Sequence, residues 1–287
     1  MQHRAKKSLG QNFLKSEPAL RKIIEAGEVK SDDIILEIGP GKGALTEKLL
    51  EKAGLVLAVE KDRELFELLK EKFAKEILAG KLILKNEDIL KFDVDQAVSK
   101  FLSGPRSSGS LSQPDHAKNL KSLGFKVIAN IPYNITGAIL KKFLTEKIQP
   151  ERMVLMVQHE VAQRIIGRGK NPSTPLRIKE SILSISVKAY GEPKMILKVP
   201  ARYFSPAPKV DSAIISIKNI SRKFFEKNNV NEKRFWEIVK LGFAHKRKKL
   251  SGNLKRVLKG EKNSLAELLG NKRAEDLNII DWIALTK

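Results

Sequence analysis

An amide side chain, a proline and an aromatic ring follow one another closely in the segment NIPYNI, from Asn130 to Ile135. This segment comes directly after KVIAN, an apolar run with the composition of a buried strand. Pro132 has no backbone N–H and favours an extended backbone at Ile131, so the strand ends in a stiff turn. Such a turn is either an ordinary strand exit or a rigid holder for a flat, hydrogen-bonding base.

The exocyclic amine of adenine is a group that such a turn could orient. Its lone pair is delocalised into the ring, so methylation of this nitrogen requires acceptors that draw the N–H bonds out of the ring plane. The side-chain oxygen of Asn130 and the backbone carbonyl of Ile131 or Pro132 could be these acceptors, and Tyr133 could stack on the base. Catalysis would then rest mainly on orientation and electrostatics, without a general base. Asn130, Pro132 and Tyr133 are therefore candidate catalytic residues.

A glycine-rich turn, LEIGPGKGALT, lies between an apolar run and a helical pattern that begins near Ala44. Gly39, Gly41 and Gly43 would let the backbone approach a ligand closely, and Glu37 stands just before the turn. The spacing Gly-x-Gly-x-Gly differs from the Gly-x-Gly-x-x-Gly of dinucleotide-binding proteins. A glycine turn alone is also common in purely structural positions.

Acidic residues at the ends of the next two strands strengthen the prediction of a cofactor site. Glu60 in LAVEKD could accept hydrogen bonds from ribose hydroxyls, and Asp88 in NEDIL could accept one from an adenine amino group. Ligands bind at the carboxyl ends of parallel strands, where these residues are expected to meet. Together with Gly39 and Gly41 they predict S-adenosylmethionine as cofactor.

Two further segments suggest contact with a nucleic acid. In YFSPAPKVDSA, prolines stiffen a loop that carries Phe204 and Lys209, which suits a splayed-out base and its phosphate; alternatively, Phe204 caps the core. In FAHKRKKLSGNLKRVLK, the cations Arg247, Lys248 and Lys249 are expected along one helical region that tracks RNA phosphates, unless they form only a solvated helix face. His159 and His245 have no second ligand nearby in sequence, and we predict no metal site.

The overall charge agrees with a polyanionic partner. The 287 residues include 55 Lys and Arg against 33 Asp and Glu, a formal net charge of +22. Solubility alone requires a net charge of only about 2 to 8. Nucleic acid fits better than a membrane, because the charge is spread over the chain and no apolar run reaches 18 residues. The chain has no Cys, and its basic first residues include no apolar run of the kind found in secretory signals, so we expect no secretory signal and a reducing, cytoplasmic compartment.

The candidate site residues stand at the ends of short apolar runs that alternate with helical patterns. This alternation predicts an α/β fold with a mostly parallel sheet. The expected strands are 33–39, 55–60, 81–86, 125–130 and 152–158, and the runs SILSISVKAY and SAIISIK are expected to form an antiparallel edge. The segment 102–120 is rich in Ser, Gly and Pro and is expected to be a surface insertion. Only helical patterns follow residue 219, so we predict a catalytic domain at 1–219 and a small helical RNA-binding domain at 220–287.

Taken together, the motifs resemble the small-subunit ribosomal RNA adenine N6,N6-dimethyltransferase family. The resemblance runs nearly end to end through GQNFL, LEIGPGKGALT, VEKD, NEDIL, NIPYNIT, FSPAPKVDS, FAHKRKKLSGNL and RAEDL. It implies a Rossmann-like class I S-adenosylmethionine-dependent methyltransferase with a seven-stranded, mostly parallel sheet and a helical C-terminal domain. It also implies dimethylation of two adjacent adenines in a hairpin loop near the 3′ end of small-subunit rRNA.

The resemblance also implies roles for individual residues. Asn12 and Leu14 would contact S-adenosylmethionine together with Gly39, Glu60, Asp88 and Asn130. Asn130 and Tyr133 would hold the target base, and Phe204 would pack on it from the other side. The implied partner is small-subunit rRNA, either free or within a part-assembled subunit, and we expect the enzyme to act as a monomer.

Three alternatives remain at this point. One is the related family that methylates an adenine of large-subunit rRNA and confers macrolide resistance, which shares the glycine turn and the NIPY-type turn. A DNA adenine methyltransferase would need a sequence-reading domain, which is not evident. A non-catalytic assembly or transcription factor of the same fold would be expected to have lost the glycine turn, Asn130 or Tyr133.

Overall fold

A computed structural model of the chain describes residues 5–97, 124–167, 179–245, 247–255 and 269–287. The insertion predicted at 102–120 and part of the predicted basic segment, including Lys246, lie outside these residues. No helix within the described ranges is both long enough and apolar enough to cross a lipid bilayer.

A seven-stranded sheet forms the centre of the protein. The strands of the described residues are β1 (Phe13–Leu14), β2 (Ile34–Ile38), β3 (Leu55–Glu60), β4 (Leu82–Asn86), β5 (Phe125–Asn130), β6 (Arg152–Gln158), β7 (Glu192–Val199), β8 (Phe204–Ser205) and β9 (Ser212–Lys218). Their order in the large sheet is β4-β3-β2-β5-β6-β9-β7. β2 to β6 are parallel, whereas β9 runs antiparallel to both β6 and β7. The mostly parallel sheet and the first five predicted strands are therefore confirmed, each within one residue.

The strand order places a ligand crevice between β2 and β5. From β2 the chain first adds β3 and β4 on one side, and then crosses to add β5 and β6 on the other. In open parallel sheets the connections on the two sides of such a switch point leave a crevice at the carboxyl ends of the two strands. The glycine turn follows β2 and the NIPY turn follows β5, so both border this crevice.

Helices cover both faces of the sheet. They are α1 (Glu17–Gly27), α2 (Ala44–Leu50), α3 (Arg63–Lys72), α4 (Ala74–Leu78), α5 (Thr136–Thr145), α6 (His159–Ile166), α7 (Ile182–Tyr190), α8 (Lys223–Asn228), α9 (Glu232–Gly242), α10 (Leu250–Leu254) and α11 (Ile279–Ala284). Alternate side chains of the strands enter two separate cores: Ile35 packs on the face of α1 and α2, whereas Leu36 and Ile38 pack on the opposite face. The strands are apolar on both faces because both faces are covered.

The sequence pattern predicts a strand in SILSISVKAY, and this prediction is wrong. The segment contains helix α7. The Ser181 side chain accepts a hydrogen bond from the Ser184 N–H, and the Ser184 hydroxyl accepts one from the Ser181 N–H, which is a capping box at the helix start. Ile185, Val187 and Tyr190 are buried in the core. A short apolar run fits a buried helix as well as a buried strand, so periodicity could not distinguish them. The strand that pairs with β9 is β7 instead.

After β9 the described chain is helical, as expected. Tyr190 at the end of α7 packs against Phe225 of α8 and stacks on Trp236 of α9, with ring centroids 5.5 and 6.1 Å apart. Phe235 and Trp282 of the C-terminal helices belong to the same core cluster as Leu36 of the sheet. The division into domains at residues 219 and 220 stays a prediction.

Candidate active site

A cavity of about 450 Å³ opens at the carboxyl ends of β2, β3 and β5. Its walls are the N-terminal segment 8–15, the glycine turn, the residues that follow β3 and β4, and the NIPY turn. The predicted catalytic and cofactor residues that line it are Asn12, Leu14, Gly39, Gly41, Glu60, Asp88, Asn130, Pro132 and Tyr133. The volume lies within the range of roughly 300 to 1,000 Å³ that is typical of small-molecule sites.

The glycine turn leaves space for a ligand and is closed by the N-terminal segment. Gly39 has a φ of +63°, and a Cβ there would have no neighbour within 4 Å, so the backbone is open at this point. At Gly41, φ is +62° and a Cβ would lie 3.0 Å from the Phe13 ring. Because Gly41 has no side chain, the Phe13 ring can pack directly on the turn.

The Glu60 carboxylate joins the glycine turn to the end of β3. Its Oε2 accepts a hydrogen bond from the Gly41 N–H at 3.0 Å, and its Oε1 accepts one from the Asp62 N–H at 2.9 Å. Burial raises the pKa of Glu60, and these two backbone donors counteract part of that rise. Each oxygen retains a second lone pair, so Glu60 can also accept hydrogen bonds from a ligand in the cavity.

Glu37 is a buried carboxyl group whose hydrogen bonds are incomplete. Burial raises the pKa of Glu37 to about 8; the nearby Thr46 hydroxyl lowers it and the charge of Glu60 raises it further. Its Oε2 and the Thr46 hydroxyl have no hydrogen-bond partner of normal geometry among the described residues. A buried oxygen without a partner, in the wall of the cavity, suits a hydrogen-bond donor or a cation of the ligand.

Asp88 is held in a charged state at the edge of the cavity. Lys61 Nζ lies 2.9 Å from Asp88 Oδ2, and the Leu90 N–H donates to Oδ1 at 3.0 Å. The hydrogen bond from Lys61 is the main cause that lowers the pKa of Asp88. The carboxylate is therefore an ionised acceptor near neutral pH.

The Asn130 side chain is fixed by the N-terminal segment. Its Nδ2 donates to the Asn12 carbonyl at 3.1 Å, which leaves Oδ1 free to accept a hydrogen bond from a substrate. Pro132 has φ −59° and ψ 132°, and its carbonyl accepts the Ile135 N–H at 3.2 Å with one lone pair remaining. Two acceptors therefore lie one after another in a rigid turn at the cavity wall.

Tyr133, in the same turn as Asn130, is anchored through its hydroxyl group. Its hydroxyl lies 2.6 Å from the Ser212 hydroxyl at the start of β9. Burial raises the pKa of Tyr133, so the phenol stays neutral at physiological pH. A neutral, fixed aromatic ring beside Asn130 is suited to stacking rather than to proton transfer.

Phe204 lies apart from these residues. Its side chain is 3% exposed, belongs to the core on the α1 side of the sheet and does not line the cavity. Its backbone pairs with Leu14 in the small β1–β8 ladder, which ties the N-terminal segment to the loop before β9. The stacking role of Phe204 stays a prediction.

A network of side-chain contacts that was not predicted from the sequence holds the N-terminal segment over the cavity. Gln11 Nε2 donates to Asp62 Oδ2 at 2.8 Å, and Lys6 Nζ lies 2.8 Å from Asp62 Oδ1. Asp62 also caps helix α3 by accepting the Glu64 N–H. These contacts span more than 50 residues, and the only local signal was the polar pair of Glu60 and Asp62 at the end of a buried strand.

The predicted RNA-binding cations lie outside the cavity. Arg247, Lys248 and Lys249 are exposed and form no ion pair with the described residues. From the sequence we expected them along one helical region, but they lie in the turn between α9 and α10. Asn253 Nδ2 closes this turn by donating to the Gly242 carbonyl at 2.7 Å and to that of His245 at 3.2 Å. The three cations therefore face solvent from a turn and not from a helix face.

Comparison with known proteins identifies relatives along nearly the whole chain. The profile of the family described as Ribosomal RNA adenine dimethylase matches residues 2–287. A ribosomal RNA small subunit methyltransferase A from Dehalococcoides mccartyi is 36% identical over 285 residues, which cover 97% of this chain and 86% of that protein. The protein of the same name from Francisella tularensis is 37% identical over 284 residues, covering 98% and 96%.

Two solved structures share the fold. A dimethyladenosine transferase from Plasmodium falciparum has a TM-score of 0.67 at 25% identity, covering 95% of both chains. The 23S rRNA methyltransferase ErmE has a TM-score of 0.68 at 24% identity, covering 96% of this chain and 98% of its own, and at that identity it shows the fold alone. The α/β architecture is that of the class I S-adenosylmethionine-dependent methyltransferases. From the match of the family profile and the identity to its curated members, this chain belongs to the ribosomal RNA adenine dimethylase family.

Proposed function

We propose that the protein transfers methyl groups from S-adenosylmethionine to N6 of two adjacent adenines in a hairpin loop near the 3′ end of small-subunit rRNA. The observation that carries this proposal is the position of Asn130. Its Nδ2 is engaged by the Asn12 carbonyl and its Oδ1 is left as an acceptor at the wall of the cavity. The products are N6,N6-dimethyladenosines.

The cavity residues fit the chemical groups of the cofactor. The partnerless buried oxygen of Glu37 suits a hydrogen-bond donor of the cofactor, and the open backbone at Gly39 permits close approach. We assign the ribose hydroxyls to Glu60 and the adenine amino group to Asp88, which is an ionised acceptor. When bound, S-adenosylmethionine supplies an electrophilic methyl group on a sulfonium sulfur.

The N-terminal segment would complete the cofactor site. Asn12 and Leu14 line the cavity opposite the glycine turn, and Phe13 packs over Gly41 between them. Residues 8–15 therefore both cover the ligand and hold Asn130 in place. Covering the cavity excludes water from the reacting groups and strengthens the electrostatic interactions within it.

The NIPY turn would orient the target amine. Asn130 Oδ1 and the carbonyl of Ile131 or Pro132 accept its two N–H groups, which directs the nitrogen lone pair away from the ring plane and towards the methyl group. A new C–N bond would form as the bond between the methyl carbon and the sulfur breaks, which leaves S-adenosylhomocysteine. The resulting ammonium group would lose its proton to solvent when the cavity opens. Neutral Tyr133 stacks on the base, so the turn acts by orientation and by charge stabilisation.

Several features support small-subunit rRNA as the substrate. Relatives that are 34–37% identical over nearly the whole chain carry the name small subunit methyltransferase A. The net charge of +22 and the exposed cations Arg247, Lys248 and Lys249 suit an RNA backbone. We propose that the C-terminal region 220–287 binds small-subunit rRNA, free or in a part-assembled subunit, and that the enzyme acts as a monomer in the cytoplasm. A stacking role of Phe204 would require it to leave its buried position when RNA binds.

The test is the transfer of labelled methyl from S-adenosylmethionine to undermethylated small ribosomal subunits, with large subunits as the parallel substrate. We expect label in the small subunit only, and dimethyladenosine after digestion of the 3′-end hairpin. Label in the large subunit would favour the macrolide-resistance type of activity. Absence of label in both, with the cofactor bound, would refute the enzymatic proposal in favour of a binding role.

A further inference from the structure

Two of the large apolar side chains that are exposed, Tyr203 and Val210, lie in the segment between β7 and β9. Among the described residues, the ones that are more than about a third exposed are Leu78, Leu90, Ile182, Leu197, Tyr203, Val210 and Ile280. Tyr203, at 37% exposed, is the single aromatic residue of this group. An exposed tyrosine with no core function is a candidate contact for a ligand.

Tyr203 does not line the cavity itself, but hydrogen bonds connect it and its neighbours to residues that do. Its carbonyl accepts the N–H of Lys15, a cavity residue, at 2.8 Å. On the other side, the Ala201 N–H donates to Asp211 Oδ1 at 3.0 Å, and Ser212, which follows Asp211, contacts the Tyr133 hydroxyl. The backbone of Tyr203 is thus connected to the cofactor wall and to the base-stacking side of the site.

Arg202 forms a pair with this ring. The centre of its guanidinium lies 5.2 Å from the Tyr203 ring centroid, a cation–π contact. Arg202 is exposed and forms no ion pair with the described residues. Its charge is therefore available to an anion, while its position is restricted by the ring.

We propose that Tyr203 and Arg202 bind the nucleotide next to the target adenine: the base stacks on the exposed part of Tyr203 and the phosphate contacts Arg202. A single strand that delivers one base into a cavity must lay its next base over the rim, and aromatic and guanidinium groups bind such bases through stacking. This inference rests on the proposed function, because it assumes that the target is an adenine in an RNA strand.

The experiment uses an RNA hairpin with 2-aminopurine beside the target adenine and the full-length protein. Stacking on Tyr203 should quench the 2-aminopurine fluorescence when the wild type binds. In Tyr203→Leu the quenching should be lost, and the Kd for RNA should rise on the order of tenfold with an unchanged salt slope, because stacking releases no counterions. Tyr203→Phe should retain both properties, and the KM for S-adenosylmethionine should not change in either variant.

The charge of Arg202 has a separate readout. Arg202→Gln should reduce the dependence of log K on log salt by about 0.7, the contribution of one contact to a single-strand phosphate. Leu78→Ala, on the surface of α4, is the control for loss of an exposed apolar side chain and should match the wild type. Equal quenching and equal Kd in Tyr203→Leu and the wild type would overturn the stacking proposal.

The outcome for the wild type separates this inference from the proposed function. If the wild type methylates the hairpin adenine and Tyr203→Leu binds equally well, only the stacking site is wrong. If the wild type neither binds nor methylates the RNA, the proposed function itself fails, and the stacking site fails with it.

Discussion

Replacing Asn130 with alanine should abolish most methyl transfer while leaving the fold and the cofactor site nearly unchanged. The substitution removes Oδ1, the acceptor assigned to the adenine amine, and loss of one preorganised polar group in an active site typically slows the chemical step about 10²- to 10³-fold. It also removes the 3.1 Å hydrogen bond from Nδ2 to the Asn12 carbonyl. A neutral hydrogen bond contributes about 1 kcal/mol net, so cofactor affinity should fall less than about tenfold.

The assay separates these two effects. Single-turnover transfer to undermethylated small subunits measures the chemical step, and calorimetry with S-adenosylmethionine measures cofactor binding. Asn228→Ala is the matched control, because the Nδ2 of this half-buried residue of α8 also donates to a backbone carbonyl, that of Phe224 at 2.7 Å. A rate in Asn130→Ala within a few-fold of that in the control would refute the orienting role of the turn.

Three further predictions follow from charge and capping. The raised pKa of Glu37, about 8 against 4.5 for an ordinary Glu, means that the folded state loses stability relative to Glu37→Gln as pH rises from about 4.5 to about 8. Chemical unfolding at pH 5 and pH 8.5 measures this difference, and parallel pH profiles would contradict it. Replacing both Arg247 and Lys248 with Gln should reduce the salt slope of RNA binding by about 1.4 to 1.8, and an unchanged slope would place the RNA elsewhere. Ser181→Ala should destabilise the protein by about 1 kcal/mol in thermal unfolding through loss of the capping box of α7, and an unchanged midpoint would refute that contribution.

The elements around the cavity were predictable because their sequence signals are local. The parallel strands are runs of β-branched and aliphatic residues that lie between helical patterns, and each ends in a polar or glycine-containing turn. Gly39, Glu60, Asp88 and Asn130 stand at these ends, so the topology of a parallel sheet alone brings them to one edge.

Two elements, α7 and β7, were not predicted correctly, because packing in the complete fold decides their structure and the local pattern does not. The apolar run in α7 resembles a strand, but its Ser181–Ser184 capping box starts a helix. Strand β7 was missed because its edge position leaves its Glu and Lys side chains exposed, which weakens the apolar pattern.

Contacts between distant parts of the chain could not be predicted from local patterns. The hydrogen bond between Asn130 and Asn12 joins residues that are 118 positions apart, and the one between Gln11 and Asp62 joins residues 51 positions apart. Burial of Phe204 likewise depends on its pairing with Leu14. Such contacts are set by the completed fold, and no periodicity in the sequence reports them.

A crystal structure with bound adenine tests most directly whether the turn after β5 orients an adenine amine. Crystals would be grown with S-adenosylmethionine and a short RNA that carries the target adenine, under conditions that prevent turnover. We expect the adenine N6 at about 2.9 Å from Asn130 Oδ1, with the base stacked on Tyr133. An adenine bound in the cavity with its N6 directed away from both Asn130 and the Ile131–Pro132 carbonyls would contradict it.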